Sequence, residues 1–283
     1  MLEYLGNKQE AITIQEKANR MEENILSHGW DGEWFLRAYD AFSHPIGSIQ
    51  CEEGQIFIEP QGICSMADIG LNSGHVTKAL NAVHRRLATP HGIMLIQPPY
   101  SQYQLRLGEI SSYPPGYKEN GSIFCHSNPW IMIAETKNRN GDRAYDYYMR
   151  INPSARENLS KLHTCEPYIY AQTIAGQDAP TFGEAKNSWL TGAATWNYIA
   201  ITQWILGIRP CFDGLLIDPV IPNTWSRFKV TRVFRGKNYE ITVQRSANID
   251  ALKIVVNGKN IEGNFIPVNL ETSNPIQVLV FIP

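Results

Sequence analysis

The apolar residues of this chain change their spacing near residue 210, and this change limits the folds available to it. Before that point they recur every three or four positions, as in residues 9 to 28, which indicates amphipathic helices. After Arg209-Pro210 come short β-branched runs separated by Gly, Pro and Asn-Gly, a pattern typical of strands joined by tight turns. The sequence therefore predicts a mainly α-helical part over residues 1–208 and a small antiparallel β-domain over residues 209–283.

Helix-start signals mark two positions in the first part. Pro129 follows Ser127 and Asn128, and Thr191-Gly192 precedes an apolar-periodic run that continues to Gly207. Polar residues that cap the helix start, together with Pro at the first helical position, favour helix initiation at such points.

Further helices are predicted over residues 76 to 87, where Gly74 opens the helix, and over residues 142 to 150, whereas residues 97 to 126 and 163 to 190 are predicted to be long loops. Loops of that length inside a compact domain usually carry function.

Charge and composition exclude several classes of partner. The chain has 25 Lys and Arg against 27 Asp and Glu, without basic or acidic runs, which argues against nucleic acid and anionic membranes as partners. Its five cysteines form no C-x-x-C pair and its seven histidines no H-x-x-x-H pair, so neither a disulfide framework nor a metal site is predicted. With no apolar run of the roughly 18 residues that a membrane span needs, and no secretion signal, we expect a cytoplasmic protein without metal ions.

The loop over residues 108–126 concentrates groups that can bind a sugar. Glu109, Tyr113, Lys118 and Glu119 lie in a segment stiffened by Pro114-Pro115, where carboxylates could accept hydrogen bonds from sugar hydroxyls and the ammonium could donate them. Charged loop residues are also commonly just exposed to solvent. Spacing alone leaves both interpretations open.

Two helix starts could bind an anion. His126 comes directly before one predicted helix, and Thr191-Gly192 opens another. Helix N-termini carry unpaired N–H groups and the positive end of the helix dipole, which attract phosphate. Thr191 serves equally well as a plain N-cap. Gln172 could donate its amide to the same anion.

Several strings, in this order, resemble the cellobiose phosphorylase family of inverting glycoside phosphorylases. They are WDGEWFLRAYD (30 to 40), CEEGQIFIEPQG (51 to 62), LGEISSYPPGYKENGSIFCH (107 to 126), NPWIMIAET (128 to 136), EPYIYAQ (166 to 172), GEAKNSWLTG (183 to 192) and ILGIRPCFDGLLIDPVIP (205 to 222). The resemblance extends over nearly the whole chain.

The resemblance implies a fold. Members of the family have an N-terminal β-sandwich, a linker, an (α/α)6 barrel and a small C-terminal β-domain. By analogy, residues 1–208 are expected to form the C-terminal half of the barrel, and residues 209–283 an antiparallel β-sandwich domain. This order agrees with the helix-then-strand pattern of the residues themselves.

The resemblance also implies a reaction. In the family, an aspartic acid protonates the glycosidic oxygen while inorganic phosphate attacks the anomeric carbon, which gives α-glucose 1-phosphate and glucose without a cofactor. Because phosphate arrives ionised, no general base is required. Carried over to this chain, the phosphate-binding residues are His126, Gln172, Thr191 and Gly192, and the sugar-binding residues are Glu109, Tyr113 and Lys118.

One departure from the family is large. The family's catalytic aspartate belongs to a D-W-N-D motif, which does not occur in this sequence and is expected upstream of Met1. No catalytic residue is therefore assigned to this chain, which we expect to be inactive alone. A separate polypeptide could supply the missing half, and homodimers are common in the family. Two alternatives remain: an inverting hydrolase that uses Glu109 and Glu119, and a non-catalytic remnant that binds sugar or phosphate.

Overall fold

Helices and short strands alternate along the chain up to about residue 207, and among the described residues only strands follow. A computed structural model describes residues 1–189, 191–247, 249–269 and 275–283. Within that part, the α-helices are α1 (Lys8–His28), α2 (Ile58–Met66), α3 (His75–Arg86), α4 (Asn128–Lys137), α5 (Gly141–Ile151), α6 (Ser160–His163) and α7 (Ala193–Ile199), the last continued by a π-helix over Ala200–Ile205. Short 3-10 turns occupy Gly108–Ser111, Pro153–Ala155 and Glu157–Leu159.

Most helix starts predicted from the sequence are confirmed. Gly74 precedes α3 in a left-handed conformation with φ of 81°, and Ser127 precedes α4, in which Pro lies in the first turn. Gly192 precedes α7. Helix α2 was missed, because Pro60 and Gly62 break the helical pattern that the sequence analysis relies on.

Helix α4 contacts both α2 and α7. Gly62 in α2 packs so closely on Trp130 of α4 that an added Cβ would lie 2.8 Å from the Trp130 Cβ. The Trp130 ring in turn meets the edge of Trp196 in α7, with ring centroids 5.9 Å apart. Glycine at position 62 thus allows α2 and α4 to approach closely, and Trp130 lies between α2 and α7.

The strands are short before residue 208 and longer after it. They are β1 (Ala38–Tyr39), β2 (Pro45–Ile46), β3 (Ile56–Phe57), β4 (Ala88–Thr89), β5 (Gly92–Ile93), β6 (Ile96–Gln97), β7 (Ile123–Phe124), β8 (Ala171–Ile174), β9 (Ala185–Ser188), β10 (Ile208–Pro210), β11 (Gly214–Ile217), β12 (Arg227–Phe234), β13 (Lys237–Arg245), β14 (Lys253–Val256), β15 (Lys259–Ile261), β16 (Phe265–Pro267) and β17 (Ile276–Ile282). Strands β7, β8 and β9 form a sheet inside the predicted loops.

The C-terminal strands form two sheets, one with the order β12-β13-β17-β14-β15 and one with the order β10-β11-β16. The prediction of a purely antiparallel domain is wrong at one pair, because β13 and β17 run parallel, with Ile241 opposite Val278. Parallel neighbours need a long connection, and here β14, β15 and β16 lie between the two strands along the chain. The other pairings in both sheets are antiparallel.

Both sheets contribute to one apolar core. Alternate residues of β17 are buried, and they join Leu215 and Ile217 of β11 and Ile266 of β16 in a single hydrophobic cluster. A separate, larger hydrophobic cluster contains the buried side chains of the helices and of the short strands. The part of the chain that the structure describes is thus a mixed α and β assembly, and the domain limits at residues 208 and 209 stay a prediction. Among the described residues no helix has the length and apolar character that a membrane crossing requires.

Candidate functional site

The sheet of β7, β8 and β9 pairs Gln172 with Cys125, the residue directly before His126. Phe124 of β7 pairs with Thr173 of β8, and the next backbone bond runs from Cys125 N to the Gln172 carbonyl oxygen at 3.0 Å. Gln172 therefore sits level with the residue that precedes His126. Two positions 46 residues apart in sequence become neighbours through backbone pairing.

The Gln172 amide is oriented by two donors. Lys118 Nζ donates to Gln172 Oε1 at 2.8 Å, and Asn187 Nδ2 donates to the same oxygen at 3.0 Å. An oxygen that accepts from two donors fixes which end of the amide is nitrogen. Within the described residues, Gln172 Nε2 makes no hydrogen bond to the protein, so both of its hydrogens remain for a ligand.

Lys118 is held in place by a rigid loop. Its backbone has a positive φ of 47°, and its carbonyl oxygen accepts from Ser122 Oγ. Buried Asn120 links two parts of the loop, because its Nδ2 donates to the backbone carbonyl oxygen of Tyr113 at 2.7 Å and to that of Tyr100 at 2.8 Å. A side chain on such a loop keeps its position without a ligand.

The loop also packs tightly against the end of β8. Gly176 N donates to the Gly116 oxygen at 2.8 Å. A Cβ at Gly176 would lie 2.0 Å from the Gly121 oxygen, and one at Gly116 would lie 2.4 Å from Ala179 N. These contacts require glycine, since any other residue would force the two segments apart.

His126 is partly buried among aromatic rings. Its imidazole meets Phe124 edge to face at 5.0 Å and Trp130 at 5.5 Å between centroids. Burial lowers the pKa of His126 below its ordinary value and so favours the neutral form of the ring. A neutral imidazole donates one hydrogen bond, and this suits it to bind an anion without carrying a charge itself.

Thr191 makes a local hydrogen bond at the start of α7. Its Oγ1 accepts from Ala193 N at 3.0 Å, while Gly192 has open space where a side chain would be. Gly192, one residue after Thr191, is the N-cap residue of α7, so the interpretation of Thr191 as the N-cap is wrong by one position. Within the described residues, the Thr191 hydroxyl hydrogen and the Gly192 N–H have no protein acceptor. The contact between Trp130 and Trp196 connects this helix start with the one at His126.

Glu109 and Tyr113 form a pair of their own. Tyr113 OH donates to Glu109 Oε1 at 3.0 Å, and this hydrogen bond raises the pKa of the Tyr113 phenol. Among the described residues neither side chain bonds to Gln172. Lys118 is a predicted sugar-binding residue, but its side chain contacts Gln172, a predicted phosphate-binding residue. The two predicted subsites are therefore in direct contact at this pair.

Three buried polar atoms on α2, on α4 and in the Lys118 loop have no hydrogen-bond partner among the described residues: Glu59 Oε2, Glu119 Oε2 and Trp130 Nε1. The sequence analysis had given a role to Glu119 but not to Glu59 or Trp130. Burial raises the pKa of the Glu59 carboxyl, and the charge of Glu119 adds to this effect while that of Arg37 opposes it. The sequence signal that could have pointed to Glu59 is a carboxylate directly before Pro60, in the first turn of a helix. It was missed because α2 itself had not been predicted.

Comparison with known proteins identifies the family. A family model described as the glycosyl hydrolase 94 superfamily, catalytic domain, matches residues 1–207. The chain belongs to this glycosyl hydrolase 94 superfamily. The resemblance to glycoside phosphorylases found in the sequence is therefore confirmed.

Two curated relatives of this superfamily member are phosphorylases. An N,N'-diacetylchitobiose phosphorylase of Vibrio proteolyticus is 34% identical over 284 residues, which cover 99% of this chain and 35% of that protein. A solabiose phosphorylase of Paenibacillus borealis is 34% identical over 262 residues, which cover 91% of this chain and 34% of that protein. The chain spans about a third of the length of these relatives.

The fold also resembles that of one solved structure. A sialidase chain superposes with a TM-score of 0.56 at 15% identity, over 84% of this chain and 21% of that one. At this identity the likeness concerns the fold alone.

Proposed function

We propose that this chain is the C-terminal part of a glycoside phosphorylase and supplies its phosphate and acceptor-sugar subsites. The reaction is phosphorolysis of a β-1,4-glucosyl disaccharide, of which cellobiose is the first candidate, to α-glucose 1-phosphate and glucose. In this proposal residues 1–208 form half of an (α/α)6 barrel and residues 209–283 a β-sandwich. Family membership and the phosphorylase names of the relatives support it.

The hydrogen bond between Lys118 and Gln172 is the observation that carries the proposal. It holds Gln172 Oε1, so that Nε2 keeps no protein partner among the described residues, and it places an ammonium group next to that amide. Neutral hydrogen-bond donors and one cation can hold a phosphate ion at attack distance if their positions are fixed before it binds.

Each binding group then has a defined task. The Gln172 amide, the His126 imidazole and the Thr191 hydroxyl with the Gly192 N–H donate hydrogen bonds to phosphate oxygens. A phosphate oxygen forms the new bond to the anomeric carbon as the glycosidic bond breaks. The departing sugar oxygen takes its proton from a carboxylic acid, which a completing polypeptide provides.

A completing polypeptide forms part of the proposal. Helix α1 buries none of its residues, and its apolar side chains Ile12 and Met21 are exposed. Exposed apolar helix faces of this kind usually pack against another polypeptide segment. The remaining two thirds of the relatives' length is the material that would cover it, either joined to this chain or as a separate polypeptide in a cytoplasmic enzyme that forms homodimers.

The test is a phosphorolysis assay. The chain alone, and the chain fused behind the preceding two thirds of the Vibrio proteolyticus relative, are incubated with cellobiose or N,N'-diacetylchitobiose, with and without phosphate. Only the fusion should release a sugar 1-phosphate, and only when phosphate is present. Free sugar released without phosphate would support the hydrolase alternative and refute the proposal, whereas an inactive fusion that still binds phosphate would favour the binding remnant.

Variants of the fusion separate the subsites. Thr191→Ala or His126→Ala should raise the KM for phosphate, and Glu109→Ala should raise the KM for the acceptor sugar measured in the reverse direction. Each lost hydrogen bond to a charged group corresponds to about 1.5–3 kcal/mol. Identical profiles for both kinds of variant would contradict the assignment.

A further inference from the structure

A cavity of about 370 Å³ lies at the C-terminal end of α4. It is bordered by the last turn of that helix, by the π-helix over Ala200–Ile205 and by strands β10 and β11. Ligand sites in proteins typically have volumes of about 300–1,000 Å³, so the space admits a small organic molecule. His126 lies just before the other end of α4, and a ten-residue helix is about 15 Å long, so this cavity is separate from the proposed phosphate subsite.

Three cationic side chains line the cavity beside a single carboxylate. They are Lys137, Arg139 and Arg209, and the carboxylate is that of Asp218. Asp218 Oδ1 accepts from Arg139 Nη1 at 2.7 Å, and its Oδ2 accepts from Arg209 Nη2 at 2.8 Å. Lys137 Nζ donates to Asp68 Oδ1 at 2.6 Å. Three cations against two carboxylates leave one positive charge unbalanced in this cluster.

The two guanidinium groups keep most of their hydrogen-bond donors. A guanidinium carries five N–H hydrogens. Among the described residues, the guanidinium groups of Arg139 and Arg209 each make one hydrogen bond, which goes to Asp218. The remaining donors lie in a cavity that has room for an acceptor.

The ring of Trp204 holds two of the cations in place. The Arg209 guanidinium carbon lies 4.2 Å from the ring centroid, and Lys137 Nζ lies 5.5 Å from it, both within the range of a cation–π contact. Trp204 belongs to the π-helix, a rare conformation that is found frequently at functional sites. These positions are therefore set before any ligand binds.

The backbone at Arg139 is also uncommon. Arg139 is the second residue after α4 and has a φ of 60°, at a position where helices that end in this way usually have glycine. A left-handed residue with a side chain costs free energy and persists where the surrounding structure requires it. The guanidinium thus faces Asp218 and the cavity at some cost to the local backbone.

We propose that this cavity is a second anion-binding site of the chain and that it binds a small organic phosphate monoester. A phosphate group has three acceptor oxygens, enough to meet Lys137, Arg139 and Arg209 together, and guanidinium groups match its geometry. Leu71 and Leu216 line the same space and can contact the organic part of the ligand. The inference goes beyond the proposed function, because none of these residues takes part in it.

The experiment is a calorimetric titration of the full chain that counts bound ligands, with α-glucose 1-phosphate in one series and inorganic phosphate in the other. The native chain should bind two molecules of glucose 1-phosphate, one at the proposed phosphate subsite and one in the cavity. Arg139→Gln and Lys137→Gln should each weaken the cavity site about tenfold or more, because a hydrogen bond between charged groups is lost. Gln172→Glu should weaken only the other site.

A matched control makes the same change at another ion pair. Arg85 is exposed and donates to Glu33 at 2.8 Å, so Arg85→Gln should leave both sites unchanged. The Arg139 side chain is 62% exposed, and exposed ion pairs contribute little to stability, so we expect Arg139→Gln to fold. Circular dichroism melting checks each variant, and Lys137→Gln gives an independent reading.

Each outcome decides the proposal. A single site that is lost in Gln172→Glu and unaffected by Arg139→Gln and Lys137→Gln would overturn this inference and keep the proposed function. A single site with the opposite response would support this inference and refute the proposed phosphate subsite. An equal loss in Arg85→Gln would reveal a nonspecific effect of charge and would overturn the cavity site. Inorganic phosphate that binds there as tightly as the monoester would overturn the choice of ligand, and absence of binding would reject both sites.

Discussion

Replacing Gln172 by Glu tests the anion-binding part of the site most directly. The side chain keeps its length, and a carboxylate can still accept from Lys118 Nζ and Asn187 Nδ2, now at 2.8 and 3.0 Å from Oε1. We therefore expect the variant to fold like the native chain. What disappears is the Nε2 donor, and what appears is a negative charge at the position where phosphate is expected.

The magnitude follows from these two changes. Loss of one hydrogen bond to a charged group costs about 1.5–3 kcal/mol, which is about a 10- to 150-fold loss of phosphate affinity. Repulsion between the carboxylate and the phosphate adds to this loss, while the adjacent ammonium of Lys118 offsets part of it. We therefore expect at least the lower figure.

The assay is a calorimetric phosphate titration at constant ionic strength, because screening by salt would otherwise change the electrostatic part. Gln177→Glu introduces the same change at an exposed position in the next loop and serves as the control. Phosphate affinity that is retained in Gln172→Glu, or that falls equally in the control, would refute the assignment of Gln172.

Two buried groups make the stability of the chain depend on pH in opposite directions. Burial raises the pKa of the Glu135 carboxyl from 4.5 to about 7 despite its ion pair with Arg143. The folded protein therefore binds this proton more tightly than the unfolded chain does. The free energy of unfolding falls as pH rises from 4.5 to about 7, by about 3 kcal/mol in total. Glu135→Gln should remove this loss, as measured by urea unfolding at a series of pH values. Burial lowers the pKa of His163 from 6.5 to about 4, so stability falls as pH drops through that range, again by about 3 kcal/mol, and His163→Gln should abolish the acid loss. Unfolding curves with the same pH dependence as the native chain would contradict either prediction.

Local chemistry was sufficient to predict α1, α3, α4, α5 and α7 and the strand-rich character of the chain after residue 210, but not the short strands β1 to β9. Gly74 and Pro129 mark helix starts because their backbone preferences act within a single turn, and Asn257-Gly258 marks a hairpin because both residues adopt positive φ there. The change from helical to strand spacing near residue 210 is likewise a property of neighbouring residues. The family resemblance, confirmed for residues 1–207, also followed from the sequence alone.

Long-range packing decided what these signals could not. The parallel pairing of β13 with β17 depends on which strands meet after a long connection, and no local pattern records it. The hydrogen bond from Lys118 to Gln172 joins residues 54 positions apart and connects subsites that the sequence analysis had kept separate.

The sequence by itself thus predicted which residues could bind an anion or a sugar, because side-chain chemistry and helix starts are local. Only the tertiary structure decided which of them are in contact. The reason is physical: Lys118 lies in a loop and Gln172 on a strand, and their side chains meet only when these two elements pack together.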